Sequence, residues 1–174
     1  MPLPPGPKPR LFPLILPPIS PLDRVAVFCG LVVSVSVQLR QFLPRVVSSV
    51  KSLLAEHQVQ VSITVPDNMQ VLSFVSPLST IISRLIENAC LHAFPNHSDR
   101  QITLTASQHS HYWQLEVADN GRGMTADELQ RAFEPFFTSR RSQGAKGLGL
   151  TLVFNLVTHL LQGELTLQNA KRIR

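Results

Sequence analysis

The sequence predicts an α+β fold, a two-layer sandwich in which one mixed sheet is covered on a single face by helices. Three observations predict it. Alternating apolar runs at 59–65, 101–108 and 112–119 have the period of half-buried strands. Apolar residues at helical spacing fill 39–57, 77–94 and 147–162. The two kinds of segment are interleaved, and a chain of 174 residues is long enough to bury one genuine core between them.

The elements follow in order. Residues 1–22 hold most of the prolines, in "PLPPGPKPR" and "LPPISP", and read as a flexible or extended leader. Pro13, Pro17 and Pro18 interrupt any continuous apolar stretch, so the leader is no secretory signal. "VAVFCGLVVSVSVQL" (25–39) falls short of the roughly 18 apolar residues that span a bilayer, and reads as a buried strand. This divides the chain into a Pro-rich leader (1–36), one domain (37–170) and a basic tail (171–174).

Within the domain, the helix over 39–57 tolerates Pro44 only near its first turn. A strand over 59–65 ends at Pro66-Asp67-Asn68, and "QVLSFV" (70–75) makes a short second strand. The helix over 77–94 starts with Pro77 in its first turn and gathers Leu78, Ile81, Ile82, Leu85, Ile86 and Ala89 on one face. Residues 101–108 and 112–119 form an antiparallel hairpin, 120–146 is a glycine- and charge-rich loop with a helical piece at 126–133, and 147–162 is amphipathic. "GELTLQ" (163–168) is the last predicted strand.

The formal charge of +5 is spread over the chain, with no aromatic platform between the basic residues, so nucleic acid is not an expected partner. Cys29 and Cys90 form no CxxC pair, and a reducing compartment fits. His109 and His111 lack a nearby third ligand and read as an exposed turn.

Four constellations carry chemistry. On the helix over 77–94, Asn88 lies at the edge of the apolar face with His92 one turn on; it either caps the core boundary or reaches into a pocket. Asp119 ends a strand and is followed by Gly121 and Gly123, a pattern shared by plain turns and by pockets with a bare-backbone wall. Gly144, Gly147 and Gly149 precede a long helix whose first N–H groups suit an anion, with Lys146 adding a charge. Phe133, Phe136 and Phe137 with Arg140 and Arg141 form a local staple or an aromatic lid offering charge to phosphate.

In this order and spacing the four resemble the boxes of the ATP-binding domain of sensor histidine kinases, in the superfamily shared with gyrase B, MutL and heat-shock chaperones; the likeness runs from about residue 37 to 169. It implies the Bergerat α/β sandwich. It implies that Asp119 accepts from the exocyclic amine of adenine, that Gly121 and Gly123 line base and sugar, and that Asn88 holds Mg²⁺ against the phosphates. Gly147 and Gly149 would carry the phosphates, and Lys146 with Arg140 or Arg141 would neutralise them; His92, Met124, Phe137, Leu148 and Leu150 complete the implied ATP set.

The implied activity is transfer of the γ-phosphoryl of ATP to a histidine on a dimerisation domain, with a response regulator downstream. The chain departs from the family in three ways. Arg84 stands where water-activating relatives carry Glu, which disfavours a hydrolysing ATPase of the gyrase or MutL type. No acceptor-histidine box is present, so the chain is expected to be inactive alone, and the alternative is a non-catalytic ATP-binding module that serves a partner kinase. The closing Gly-Thr-x-Phe strand of the family is not found after residue 170, which implies an open sheet edge. A cytoplasmic, monomeric domain without membrane contact is expected, whatever anchor a longer parent carries.

Overall fold

Inside "RLFPLIL" every second residue is one that a core accepts or must pair: Arg10, Phe12, Leu14 and Leu16 are buried, while Leu11, Pro13 and Ile15 are half-buried. The segment Arg10–Leu16 is strand β1. The computed structural model describes residues 10–17, 34–95, 98–138 and 147–169. The remaining elements are β2 (Val35–Gln38), α1 (Leu39–Ser49), α2 (Lys51–Glu56), β3 (Gln60–Thr64), β4 (Gln70–Ser73), α3 (Val75–His92), β5 (Gln101–Gln108), β6 (Trp113–Asp119), α4 (Ala126–Arg131), α5 (Gly149–Asn155), β7 (Glu164–Leu165) and β8 (Gln168–Asn169).

The main sheet runs β3-β5-β6-β1-β7, with β8 also paired to β1. It is mixed, as expected: β3 is parallel to β5, and the other pairs are antiparallel. β2 and β4 form a separate two-stranded ribbon. β5 and β6 make the expected hairpin, with Ile102 opposite Asp119 and Gln108 opposite Trp113. Leu104 of β5 and the facing pair Leu115 and Leu14 of β6 and β1 are wholly buried, as are Leu78, Ile81, Ile82, Leu85 and Ile86 of α3. One core therefore lies between the sheet and α1, α3 and α5, the two-layer arrangement the pattern predicts.

The place of β1 differs from the expected leader. β1 lies between β6 and β7, in register with β6 from Arg10 opposite Asp119 to Leu16 opposite Trp113. Residues 10–16 thus belong to the same sheet as β3, β5, β6, β7 and β8. A proline inside a central strand argues against the strand because it lacks a donor. Here the Pro13 carbonyl accepts from Thr166 N–H at 3.2 Å, so the missing N–H falls on that same side, in the gap between β7 and β8. The ladder to β6 on the other side keeps its full register from Arg10 to Leu16.

Smaller differences have local causes. The helix over 39–57 breaks at Val50 into α1 and α2, and Pro44 is the sixth residue of α1 rather than in its first turn. Its lost bond falls on the carbonyl of Arg40, an exposed residue whose carbonyl water can satisfy. α3 begins at Val75, ahead of Pro77, which still occupies the first turn. The last helix changes from α to π winding at Leu156–Leu160, and the strand over 163–168 divides into β7 and β8. Of the buried strand read at 25–39, only Val35–Gln38 is a strand among the described residues, it lies in the separate ribbon with just Val37 buried, and 18–33 lies outside the described residues. Among the described residues no helix is long and apolar enough to cross a membrane.

Candidate nucleotide-binding site

α3 presents its polar margin to a cavity of about 690 Å³, within the size range of small-molecule sites. Arg84, Glu87, Asn88, Leu91 and His92 form one wall. Met124 and, from the α4 region, Glu128 and Ala132 form a second, and Phe137, Thr138 and the run Gly147–Leu152 close the rest. The cavity therefore gathers Asn88, His92, Met124, Phe137, Gly147, Leu148, Gly149 and Leu150 from the expected set. Arg140, Arg141 and Lys146 lie outside the described residues.

Asp119, Gly121 and Gly123 do not line the cavity; they lie behind it, and Asp119 is only 3% exposed. The Asp119 Oδ1 accepts from Gly121 N–H at 3.0 Å, and Oδ2 accepts from Arg10 Nε at 2.7 Å. Arg10, 1% exposed, also donates from Nη1 to Asn88 Oδ1 at 3.2 Å. Burial pushes the Asp119 carboxyl up, opposed by the Arg10 guanidinium and the Gly121 N–H. Burial likewise lowers Arg10, opposed by Asp119.

Gly121 has a packing reason that the expectation of a base-lining glycine omits. A Cβ there would come within 2.4 Å of the Ala93 carbonyl oxygen, because the loop after β6 closes against the end of α3 through Arg122 N–H to Ala93 O at 2.8 Å. Gly123 adopts φ 73°, the left-handed region in which glycine costs least.

The loop then enters α4 through a capping box: Thr125 Oγ1 accepts from Glu128 N–H, and Glu128 Oε2 accepts from Thr125 N–H at 2.8 Å. The same Glu128 carboxylate holds both terminal nitrogens of Arg122, at 2.6 and 3.2 Å. Burial pushes Glu128 up, but the hydrogen bonds from Arg122 and Thr125 outweigh it and hold the carboxyl below its usual range. Both charges reach the cavity wall, and the Thr-x-x-Glu pattern at 125–128 was the sequence signal for them. Arg10 had a signal too, the alternation of "RLFPLIL", obscured by Pro13.

The lid region is anchored as an aromatic staple and still borders the cavity. Phe133 packs on Phe154 of α5 at 5.2 Å, and its carbonyl accepts from Thr151 Oγ1 at 3.1 Å. Arg131 lies over the Phe137 ring at 4.5 Å. Gly147 takes φ 66° with its backbone against that of Phe136, and Phe136 N–H donates to the Gly147 carbonyl at 2.9 Å. Gly149 is different: a Cβ there would meet nothing within 4 Å, so the first turn of α5 is open where the cavity reaches it. Its N–H groups have no earlier helical carbonyls to bond, which suits an anion.

This donor set fits a magnesium nucleotide better than a bare metal ion. Among the described residues no three His, Cys, Asp or Glu side chains gather to hold a metal by themselves. Magnesium brought with a triphosphate needs only one or two protein oxygens, and Asn88 of the cavity wall carries a carboxamide oxygen of that kind.

The family model for histidine kinase-, DNA gyrase B- and HSP90-like ATPases matches residues 75–173, more than half of the chain. Over 135 residues the chain is 33% identical to the C4-dicarboxylate transport sensor protein DctB of Pseudomonas aeruginosa, covering 77% of this chain and 22% of that one. It is 34% identical over 119 residues to the sensor protein CreC of Escherichia coli, covering 68% of this chain and 24% of that one. The chain thus spans about a quarter of the length of these relatives. Among solved structures, the catalytic domain of histidine kinase ThkA superposes with a TM-score of 0.67 at 16% identity, over 79% of this chain and 88% of that domain, which supports the shared fold. The order of elements, the cavity between α3 and α5 and these matches lead to one assignment: the chain belongs to the histidine kinase-, gyrase B- and HSP90-like ATPase family and carries the ATP-binding catalytic domain of sensor histidine kinases.

Proposed function

We propose that this domain binds Mg²⁺-ATP in the α3–α5 cavity and passes the γ-phosphoryl group to a histidine outside the chain. The observation that carries the reading is the joint placement of Asn88 and the open first turn of α5, at Gly149, on one cavity of nucleotide size. Asp119, buried one hydrogen-bonded step from the cavity-lining Asn88 through Arg10, would accept from the adenine amine once the base enters past that wall, through a lone pair its present donors leave unused. Met124, His92 and Phe137 would flank the base and sugar, and Gly147–Leu150 would receive the phosphates. Lys146 and Arg140 would add positive charge beside them. Magnesium, held by Asn88 when bound, neutralises charge on the phosphates.

In the transfer, the bond from the γ-phosphorus to the bridging oxygen breaks, a bond to the imidazole nitrogen forms, and ADP leaves. Such a reaction asks the protein chiefly for positioning and electrostatic stabilisation. Hydrolysis asks for a base that activates water. One turn before Asn88 stands Arg84, and it engages the neighbouring Glu87 carboxylate at 2.7 Å. That arrangement favours transfer over hydrolysis. The partners proposed are a histidine-bearing dimerisation domain, in cis or in trans, and a response regulator that takes the phosphoryl group from it.

Labelled ATP with Mg²⁺, incubated with the chain alone and with a separate acceptor hairpin, tests this. Label on histidine only when the hairpin is present supports transfer. Nucleotide binding without transfer moves the chain to a non-catalytic ATP-binding module, and free phosphate released by the chain alone overturns the assignment in favour of a hydrolase.

A further inference from the structure

β1 turns four side chains inward, and three of them, Phe12, Leu14 and Leu16, are apolar. The fourth, Arg10, is the exception. It stands directly opposite Asp119 in the β1–β6 ladder, so its guanidinium reaches the carboxylate across one strand spacing. From there it touches two of the residues to which the proposed nucleotide site assigns recognition. Nε donates to Asp119 Oδ2 at 2.7 Å, and Nη1 donates to Asn88 Oδ1 at 3.2 Å. The side chains of Arg10 and Asp119 are both 1% exposed.

As a purely structural device this is a poor one. A buried ion pair rarely stabilises a fold more than apolar residues of the same volume would. Here the third guanidinium nitrogen, Nη2, is buried and has no hydrogen-bond partner among the described residues. An aliphatic residue at position 10 would continue the stripe of Phe12 and Leu14 without that loss. What the arginine supplies, and an aliphatic residue cannot, is a rigid planar fork between a carboxylate on β6 and a carboxamide on α3.

The geometry points to Arg10 as a positioning residue of the nucleotide site, fixing the Asp119 carboxylate and the Asn88 carboxamide in one arrangement. The inference rests on the proposed function and adds a residue to it from the first strand of the sheet. Arg10 spends one lone pair on each partner, and each acceptor oxygen keeps another for a ligand. The Asp119 carboxylate must stay ionised to accept from an amine, and burial opposes ionisation. The groups facing it are Arg10 from β1 and the Gly121 N–H from the following loop. Arg122 and Glu128 act in turn on Arg10, with opposite signs. Replacing the Arg10 side chain leaves burial opposed by the Gly121 N–H and the backbone N–H of residue 10, so the carboxyl should take up a proton at higher pH than in the native chain.

Calorimetric titration of Mg²⁺-ATP into the native chain, Arg10→Met, Asp119→Asn and the double variant tests this, from about pH 8 down to about pH 5. The folded state of each is checked by circular dichroism. The methionine variant should bind about tenfold more weakly at the upper end, and its affinity should begin to fall at higher pH than that of the native chain. In the Asp119→Asn background, Arg10→Met should cost less, because the charge it holds on β6 is gone and only its hold on Asn88 remains. If the methionine variant does not fold, Arg10→Lys decides: it keeps the charge and loses the fork, and should bind more weakly than the native chain with the native pH profile. A folded methionine or lysine variant with native affinity, tighter binding, or an equal cost in both Asp119 backgrounds overturns the role. Absence of ATP binding by the native chain refutes the nucleotide site itself, a separate outcome.

Discussion

Glu128 shows how one side chain serves both folding and the site. Its carboxylate completes the capping box of α4 and grips Arg122, whose own N–H ties the glycine loop to the end of α3. Because the folded-state pKa lies below the unfolded one, the stabilisation is fully present above the ordinary glutamate range and is lost as the pH falls through the folded value. Glu128→Gln keeps an acceptor for Thr125 and removes the charge. It should cost about 1 kcal/mol at neutral pH, and the difference from the native chain should vanish in acid denaturation series. Gly121→Ala should cost more, about 1–3 kcal/mol, since the new Cβ meets backbone rather than a yielding side chain; urea titration reads both. Cys90 is the opposite case: burial pushes its thiol up to about 11, so alkylating reagents should label it only when the chain unfolds. Asp119 was legible as a functional candidate from its position before Gly-x-Gly. That the adjoining glycine answers to the Ala93 backbone was not, because the contact joins residues 28 positions apart (121 − 93).

At the scale of elements, α5 separates two glycines that look alike in "GAKGLGL". Gly147 has φ 66° and backbone atoms of Phe136 and Phe137 within 3 Å of where a Cβ would be; Gly149 opens α5 onto the cavity with nothing in reach. Gly147→Ala should therefore lower stability through strain and overlap. Gly149→Ala should leave the melting temperature unchanged or slightly higher while weakening Mg²⁺-ATP binding, because the methyl group enters the space reserved for phosphate. A thermal melt and a nucleotide titration on each variant distinguish the two, and loss of binding in neither would remove the phosphate role of this turn. The helical and alternating periods made α3, α5, β3, β5 and β6 readable, since each turns one face inward, half-buried in β3 and buried in the others, and repeats at its own spacing. The break between α1 and α2 and the π winding after α5 left no such trace, because the apolar spacing hardly changes across them.

At the scale of the whole molecule, the least legible feature is the central strand β1. Pro13 and the proline-rich flanks marked residues 1–22 as a leader, and composition outweighed a seven-residue alternation. The proline is harmless only because of its neighbour: the strand on its donor-less side is interrupted between β7 and β8, a fact that lies more than 150 positions away (164 − 13). If β1 is a central strand, it must share the cooperative stability of the core and not the lability of a tail. Leu14, wholly buried and opposite both Leu115 and Leu165, reports this directly. Leu14→Ala should cost about 2–5 kcal/mol, the range for a truncated core leucine, whereas truncation in a flexible leader costs nothing measurable. Hydrogen exchange gives a finer reading. The amides of β1 should exchange with the free energy of global unfolding, alongside those of β5 and β6, because the ladder to β6 cannot open without splitting the core beneath Phe12 and Leu14. Fast exchange throughout 11–16, with β5 and β6 still protected, would detach β1 from the sheet and remove Arg10 from the nucleotide site along with it.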